Sequence, residues 1–263
     1  MELLVTSAEI HEEELKAYGF NESVRSVHSS RTMMLAELEL AMQNVDAEIT
    51  PDSVREAILE QNILGKATQS GRRNTATKLI SLYAFDSTEP LFRSFALLWS
   101  QSDYSRPALG LLLAMSRDKI LRTTGVPICQ AEVGSHVTKE SLYKCLASSF
   151  SSKYAETTLQ STTRNVLSSW RQSGHIQGES PITRVKCHSD YLAFSFAAYI
   201  AYLRGLRGQN LINSFWIRVL DFEPAELSNA ITESHRRGLI TTRKVGSIVE
   251  ITPGPSLEEV VSL

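Results

Sequence analysis

Between Ile63 and Ile80 the charged side chains are Lys66, Arg72, Arg73 and Lys78, and no acid interrupts them. Gln69, Ser70, Asn74 and Thr75 add neutral hydrogen-bonding groups to the same stretch. Cations of this kind neutralise phosphates, and the amides and hydroxyls beside them add contacts to a nucleic-acid backbone. Arg or Asn near the start of a helix can also read base edges. A helix beginning at Arg72 or Arg73 would aim its free N–H groups and the positive end of its dipole at the same surface. The plain alternative is a solvated helix start.

A second polar cluster lies further on. Gln160, Ser161, Thr162, Thr163, Arg164 and Arg171 share a stretch with helical spacing, and Arg184 and Lys186 sit on an alternating segment that reads as a wing. The competing reading is a Ser/Thr-rich surface helix. In the last part of the chain Arg236, Arg237, Arg243 and Lys244 flank a hairpin, but Glu226 and Glu233 share the adjacent helix with Asn229 and Ser234. Two carboxylates there would repel phosphates, which weakens the DNA reading for this unit and puts a degenerate winged helix used for protein contact at least level with it. Trp170 belongs with Val166 and Leu167 as a core residue rather than a stacking platform.

The parts of a catalytic centre are missing from the pattern. The six histidines show no HxxxH spacing, and there is no Walker loop, dinucleotide fingerprint or GxSxG elbow. Asp103 and Asp118 lack the carboxylate–lysine cluster that metal-dependent nucleic-acid hydrolysis needs. Cys129, Cys145 and Cys187 form no CxxC pair, so neither a zinc site nor a disulfide framework is expected. The expectation is a non-enzymatic protein with no cofactor and no metal.

The elements that must position these groups are mostly helical. An acidic helix is expected over Ala8–Tyr18 and another over Ser29–Val45. Thr50-Pro51-Asp52-Ser53 is a helix start, with Thr50 as cap and Pro51 in the first turn. That helix, a polar turn over Gly65–Gly71 and a helix over Asn74–Tyr83 have the order of a helix-turn-helix. Apolar helices follow at Glu89–Trp99 and Pro107–Leu121, and Gly125-Val126-Pro127 reads as a linker. Thr138 then opens a unit of two helices, a stop at Gly174 and a short strand pair. A third unit repeats the order: helices over Leu192–Leu203, Leu211–Leu220 and Pro224–Arg236, then strands on either side of Val245-Gly246-Ser247. Ser173-Gly174-His175-Ile176 and Arg237-Gly238-Leu239-Ile240 mark equivalent points. The predicted fold is therefore mainly α. A helical domain over 1–126 carries the helix-turn-helix, and winged-helix-like units with short β-hairpins cover 127–188 and 189–263.

Composition agrees with a folded, water-exposed chain. Of 263 residues, 42% are hydrophobic and 21% charged, enough for a real core. The net charge of −2 excludes a histone-like tail but leaves room for a local basic face. The apolar runs Pro107–Met115 and Tyr191–Leu203 fall short of the roughly 20 residues of a membrane span. Met1-Glu2-Leu3-Leu4-Val5 lacks the basic start and apolar run of a signal peptide, so a cytoplasmic location is expected.

The segment Val54-Arg55-Glu56-Ala57-Ile58-Leu59-Glu60-Gln61-Asn62-Ile63-Leu64-Gly65-Lys66, continued by Arg72 through Ile80, resembles the N-terminal motif of the BrxA family. The apolar helices ending in Ser116-Arg117-Asp118-Lys119-Ile120-Leu121-Arg122 are similar too, and the order of units continues through Arg164–Trp170. Gly205–Gly208 and Asn213–Trp216 depart from the pattern. The resemblance implies a small helical DNA-binding protein of bacterial BREX phage-defence systems, with double-stranded DNA and other defence proteins as partners. Two other readings fit the same helices: a scaffold whose winged helices bind proteins, and an RNA binder that recognises a folded shape.

Overall fold

A computed structural model describes residues 12–23, 25–44, 49–245 and 248–257. The N-terminal part contains α1 (Glu12–Ala17), a 3-10 turn (Val27–Ser29), α2 (Leu35–Asn44), α3 (Pro51–Leu59) and α4 (Gln69–Tyr83). It continues with α5 (Pro90–Trp99) and α6 (Arg106–Arg117). Next come α7 (Lys119–Gln130), α8 (Lys139–Phe150), α9 (Glu156–Gln172) and the strands β1 (Ile176–Gln177) and β2 (Thr183–Arg184). The last part holds α10 (Tyr191–Leu203), α11 (Gly208–Ile212), α12 (Phe215–Arg218), α13 (Pro224–Arg236), β3 (Ile240–Val245) and β4 (Ile248–Pro253). The expected mainly-α fold with short antiparallel hairpins is what forms.

Short polar side chains set most helix starts. Thr50 and Ser53 close a capping box on α3, each hydroxyl accepting the other's N–H. Thr68, Asp118, Thr138 and Asp190 cap α4, α7, α8 and α10. The Thr68 cap moves the start of α4 forward, to Gln69 rather than Arg72 or Arg73. Gly71, expected in a turn, is helical. The polar connection between α3 and α4 spans 60–68, longer than a classical helix-turn-helix turn.

Three other expectations change. Pro107–Leu121 is two helices, because Asp118 is extended and takes the N–H groups of Ile120 and Leu121 as an elbow. Leu211–Leu220 is also two, interrupted at Asn213-Ser214. Gly125-Val126-Pro127 lies inside α7 rather than in a linker. A Cβ on Gly125 would stand 2.5 Å from the Phe215 ring, so this glycine allows α7 and α12 to approach closely. Pro127 cannot donate to Thr123 O, and the Cys145 thiol lies 3.5 Å from that carbonyl instead.

α7, α8 and α9 followed by β1 and β2 have the order of a winged helix. His136, between α7 and α8, makes an isolated antiparallel bridge to Thr183. α10 through α13 are four helices, again followed by an antiparallel pair, β3 and β4, in a register that pairs Ile240 with Pro253 and Arg243 with Glu250. Residues 8–11, Val45, Gly246 and Ser247, and the side chain of Lys244, fall outside what is described.

One apolar core runs from Leu15 to Leu257, across the boundaries expected at 126 and 188. α10 is buried on nearly every side, with Phe194, Phe196 and Ile200 fully enclosed. It packs against α5, α6, α12, α13 and β4, which explains its membrane-like composition. Among the described residues no helix is long and apolar enough to cross a membrane. Glu22, paired with both Arg122 and Arg204, fastens α7 to the end of α10.

Candidate nucleic-acid interface

α4 packs its inner face into the core through Ala76, Leu79, Leu82 and Tyr83. At about 100° per residue, the opposite side carries Ser70, Arg73, Asn74 and Thr77, all exposed, with Lys78 at its edge. The helix has no acid in any of its fifteen residues. Neither Arg73 nor Lys78 enters an ion pair among the described residues. Gln69 and Ser70 occupy the first turn, where backbone N–H groups lack helical partners.

The two adjacent arginines have different fates. Arg73 is exposed. Arg72 turns inward, its Nη1 donating to Leu59 O at 3.2 Å and its Nε to Lys66 O at 3.3 Å. It therefore ties α4 to the end of α3 and to the connection between them. Lys66 is also engaged, with Nζ 2.9 Å from Glu37 Oε1.

The middle unit offers less than its sequence suggested. Thr163 is fully buried, and its hydroxyl donates to Leu159 O at 2.7 Å. Arg171 gives its Nε–H to Gly178 O, bracing the wing. Arg184 is 1% exposed. It donates to Ile128 O, His175 O and Val185 O and pairs with Asp221 at 2.5 Å, so it is a buried joint between units rather than a wing contact. Lys186 is exposed but paired with Glu226 at 2.6 Å. Arg164 alone of these cations is exposed and makes no ion pair among the described residues.

The acids of α13 need correction too. Glu226 is taken by Lys186 and closes the helix-start capping box with Glu223, and Glu233 accepts from Arg236 and Arg237. Hydrogen bonds from these two arginines hold the Glu233 carboxyl down at about 2. These carboxylates are neutralised locally, so they repel an approaching phosphate less than their sequence implies.

Two buried polar clusters have no sequence signature. In the first, His28 Nδ1 is 2.9 Å from Asp118 Oδ2, and His28 Nε2 is 2.9 Å from Ser169 Oγ. The order Ser-His-Asp is that of a hydrolytic triad, but the groups are enclosed. Ser169 Oγ also accepts the Met33 N–H and lies 3.0 Å from Asn165 O, so this hydroxyl is shared among three neighbours inside the core. Burial raises the Asp118 pKa, but His28, the Ser26 hydroxyl and the Leu121 N–H outweigh it and bring it down to about 2. Asp103, its sequence-level companion, pairs at the surface with Arg106.

The second cluster brings His175, Cys187 and Asp221 ligand atoms within 4.8 Å of one another. A metal would have to displace existing partners. His175 Nε2 donates to Val219 O at 2.7 Å, Nδ1 lies 2.8 Å from Ser173 Oγ, and Asp221 holds Arg184. Burial pushes His175 down to about 4 and the Cys187 thiol well up, against the thiolate a metal requires. The cluster serves as packing between the middle and last units.

No family model matches the chain, and no curated protein matches it. A crystal structure of a protein named SspB has a similar fold, with a TM-score of 0.53 at 12% identity, over 94% of this chain and 89% of that one. At that identity the likeness is one of fold alone.

Proposed function

We propose that this chain is a non-catalytic, cytoplasmic DNA-binding component of a bacterial phage-defence system. It docks the outer face of α4 against the backbone of a duplex. The observation that carries the reading is the acid-free face of Ser70, Arg73, Asn74, Thr77 and Lys78, whose two cations are not used by the fold. Lys66, Arg72, Arg171, Arg184 and Lys186 all hold protein partners instead. Arg164 on α9 supplies a third free cation. Affinity then comes from phosphate neutralisation, with little sequence preference. The defence role comes from the resemblance over 54–80 and 116–122.

The test is fluorescence anisotropy with labelled duplex DNA, single-stranded DNA and RNA across a salt series. Three phosphate contacts give a log K against log salt slope of about −2.7 on duplex DNA. Replacing Arg73 and Lys78 together with Ala should reduce that slope by about 1.8. Duplex affinity that is absent at about 50 mM salt, or preference for folded RNA, sinks the DNA reading.

A further inference from the structure

A cleft of about 390 Å³ opens between the chain entering α2, the first half of α4 and the middle of α9. We propose that it binds a nucleoside monophosphate, with the phosphate on Arg31 and the nucleoside against Glu37, Thr75, Asn165 and Met34.

Charge comes first. Arg31 lines the cleft and is partly buried, yet no carboxylate or carbonyl takes its guanidinium among the described residues. Its planar donors match a phosphate in bidentate geometry. Lys66 lines the same wall, its charge already matched by Glu37.

The remaining groups ask for donors. Lys66 satisfies one Glu37 oxygen, at 2.9 Å. Asn165 donates its Nδ2 to His28 O at 2.9 Å, which fixes the amide and leaves Oδ1 as an acceptor. Thr75 is 5% exposed, and its hydroxyl has no partner among the described residues. A bare phosphate would answer Arg31 but leave these acceptors unmet and most of the volume unfilled. A ligand with one phosphate, ribose hydroxyls and an amino-bearing base meets all of them within a cleft of ordinary small-molecule size. No aromatic ring lines the cleft, so the base is held by its edge and by the Met34 thioether, a favourable contact for an aromatic face. Gly71 contributes a wall without a side chain.

This site is separate from the DNA face. Arg73 is two residues on from Gly71, about 200° round the helix. The same chemistry can arrive as a free nucleotide or as the 5′-phosphorylated end of a strand.

Isothermal titration calorimetry on the full chain tests it. The probes are the four ribonucleoside monophosphates, inorganic phosphate, ribose 5-phosphate and a 5′-phosphorylated single-stranded oligonucleotide. At least one nucleoside monophosphate should bind with a Kd below about 1 mM and inorganic phosphate about tenfold more weakly or worse. Arg31→Ala should weaken the nucleotide by about tenfold or more, Arg31→Lys by less, and Arg73→Ala should leave it unchanged. Competition by the oligonucleotide against a bound nucleotide assigns the strand-end source, and its absence assigns the free one. The proposal is overturned if no nucleotide binds the folded protein, if inorganic phosphate binds as tightly, or if folded Arg31→Ala binds undiminished. Nucleotide binding in a protein that ignores duplex DNA would remove the DNA reading and leave this one standing.

Discussion

Arg72 and Arg73 are neighbours of the same type, and their separate replacement should have opposite consequences. Arg72→Ala removes two hydrogen bonds from a charged donor to backbone carbonyls, at 3.2 and 3.3 Å. Both are long, and Arg72 is only partly buried, so each is worth about 1 kcal/mol, less than the roughly 1.5–3 kcal/mol of a well-formed bond from a charged donor. The sum of about 2 kcal/mol lowers Tm by about 4–8 °C in a chain of this size. Arg73 is exposed and makes no ion pair, so Arg73→Ala should stay within about 0.5 kcal/mol of the parent. On duplex DNA the order reverses. Arg73→Ala loses one phosphate contact and flattens the salt slope by about 0.9, while Arg72→Ala leaves the slope near the parent value. Differential scanning calorimetry and anisotropy on the two proteins measure both quantities. If Arg72→Ala melts like the parent but loses DNA affinity, while Arg73→Ala does neither, the assignment of faces on α4 is wrong.

Arg184→Ala should cost about 3–5 kcal/mol in urea unfolding, because it strands Asp221 and three carbonyls in the interior. Unchanged stability with weaker DNA binding would return Arg184 to the interface. Acid should also weaken the fold through Asp118. Its folded pKa of about 2 lies below the ordinary 3.8, so its contribution is complete above pH 3.8 and is lost as pH falls towards 2. Asp118→Asn should flatten the stability–pH curve in that window, and a curve as steep as the parent's would place the acid sensitivity elsewhere.

Local signals carried through to the structure where the deciding chemistry is itself local. Thr50 and Thr138 each satisfy N–H groups of their own helix, Gly174 and Gly238 adopt positive φ, and the alternation over 240–252 forms a hairpin. The misread places depend on partners far along the chain. Gly125 and Pro127 suit a linker or a helix equally well, and only the Phe215 ring against α7 decides between them. His28 finds Asp118 and Ser169 across 90 and 141 residues, and Arg184 finds Asp221 across 37, with no sequence period to announce either contact. Arg31 and Asn165, which share the cleft, lie in segments read separately as a helix start and a Ser/Thr-rich helix.

The same distinction governs which cations can meet a ligand. A basic residue in a sequence is a candidate only until folding gives it a carboxylate or a carbonyl. With a net charge of −2, this chain has enough acids to engage many of its cations. Lys186 is the clearest case, since its pairing with Glu226 couples the segment after β2 to α13, and a phosphate would have to displace that carboxylate. Arg171 bracing Gly178 O keeps a second candidate on the same wing occupied. The middle unit therefore keeps the order of a winged helix while several of its expected contact residues serve internal structure. On α4 the balance runs the other way, because a helix with no acid cannot neutralise its own cations, and among the described residues Arg73 and Lys78 enter no ion pair. Introducing an acid at Thr77, one helical turn beyond Arg73, would supply that arginine with an internal partner. Because exposed i,i+4 pairs contribute only about 0.3–0.5 kcal/mol, Thr77→Glu would leave the fold intact while competing with phosphate for Arg73.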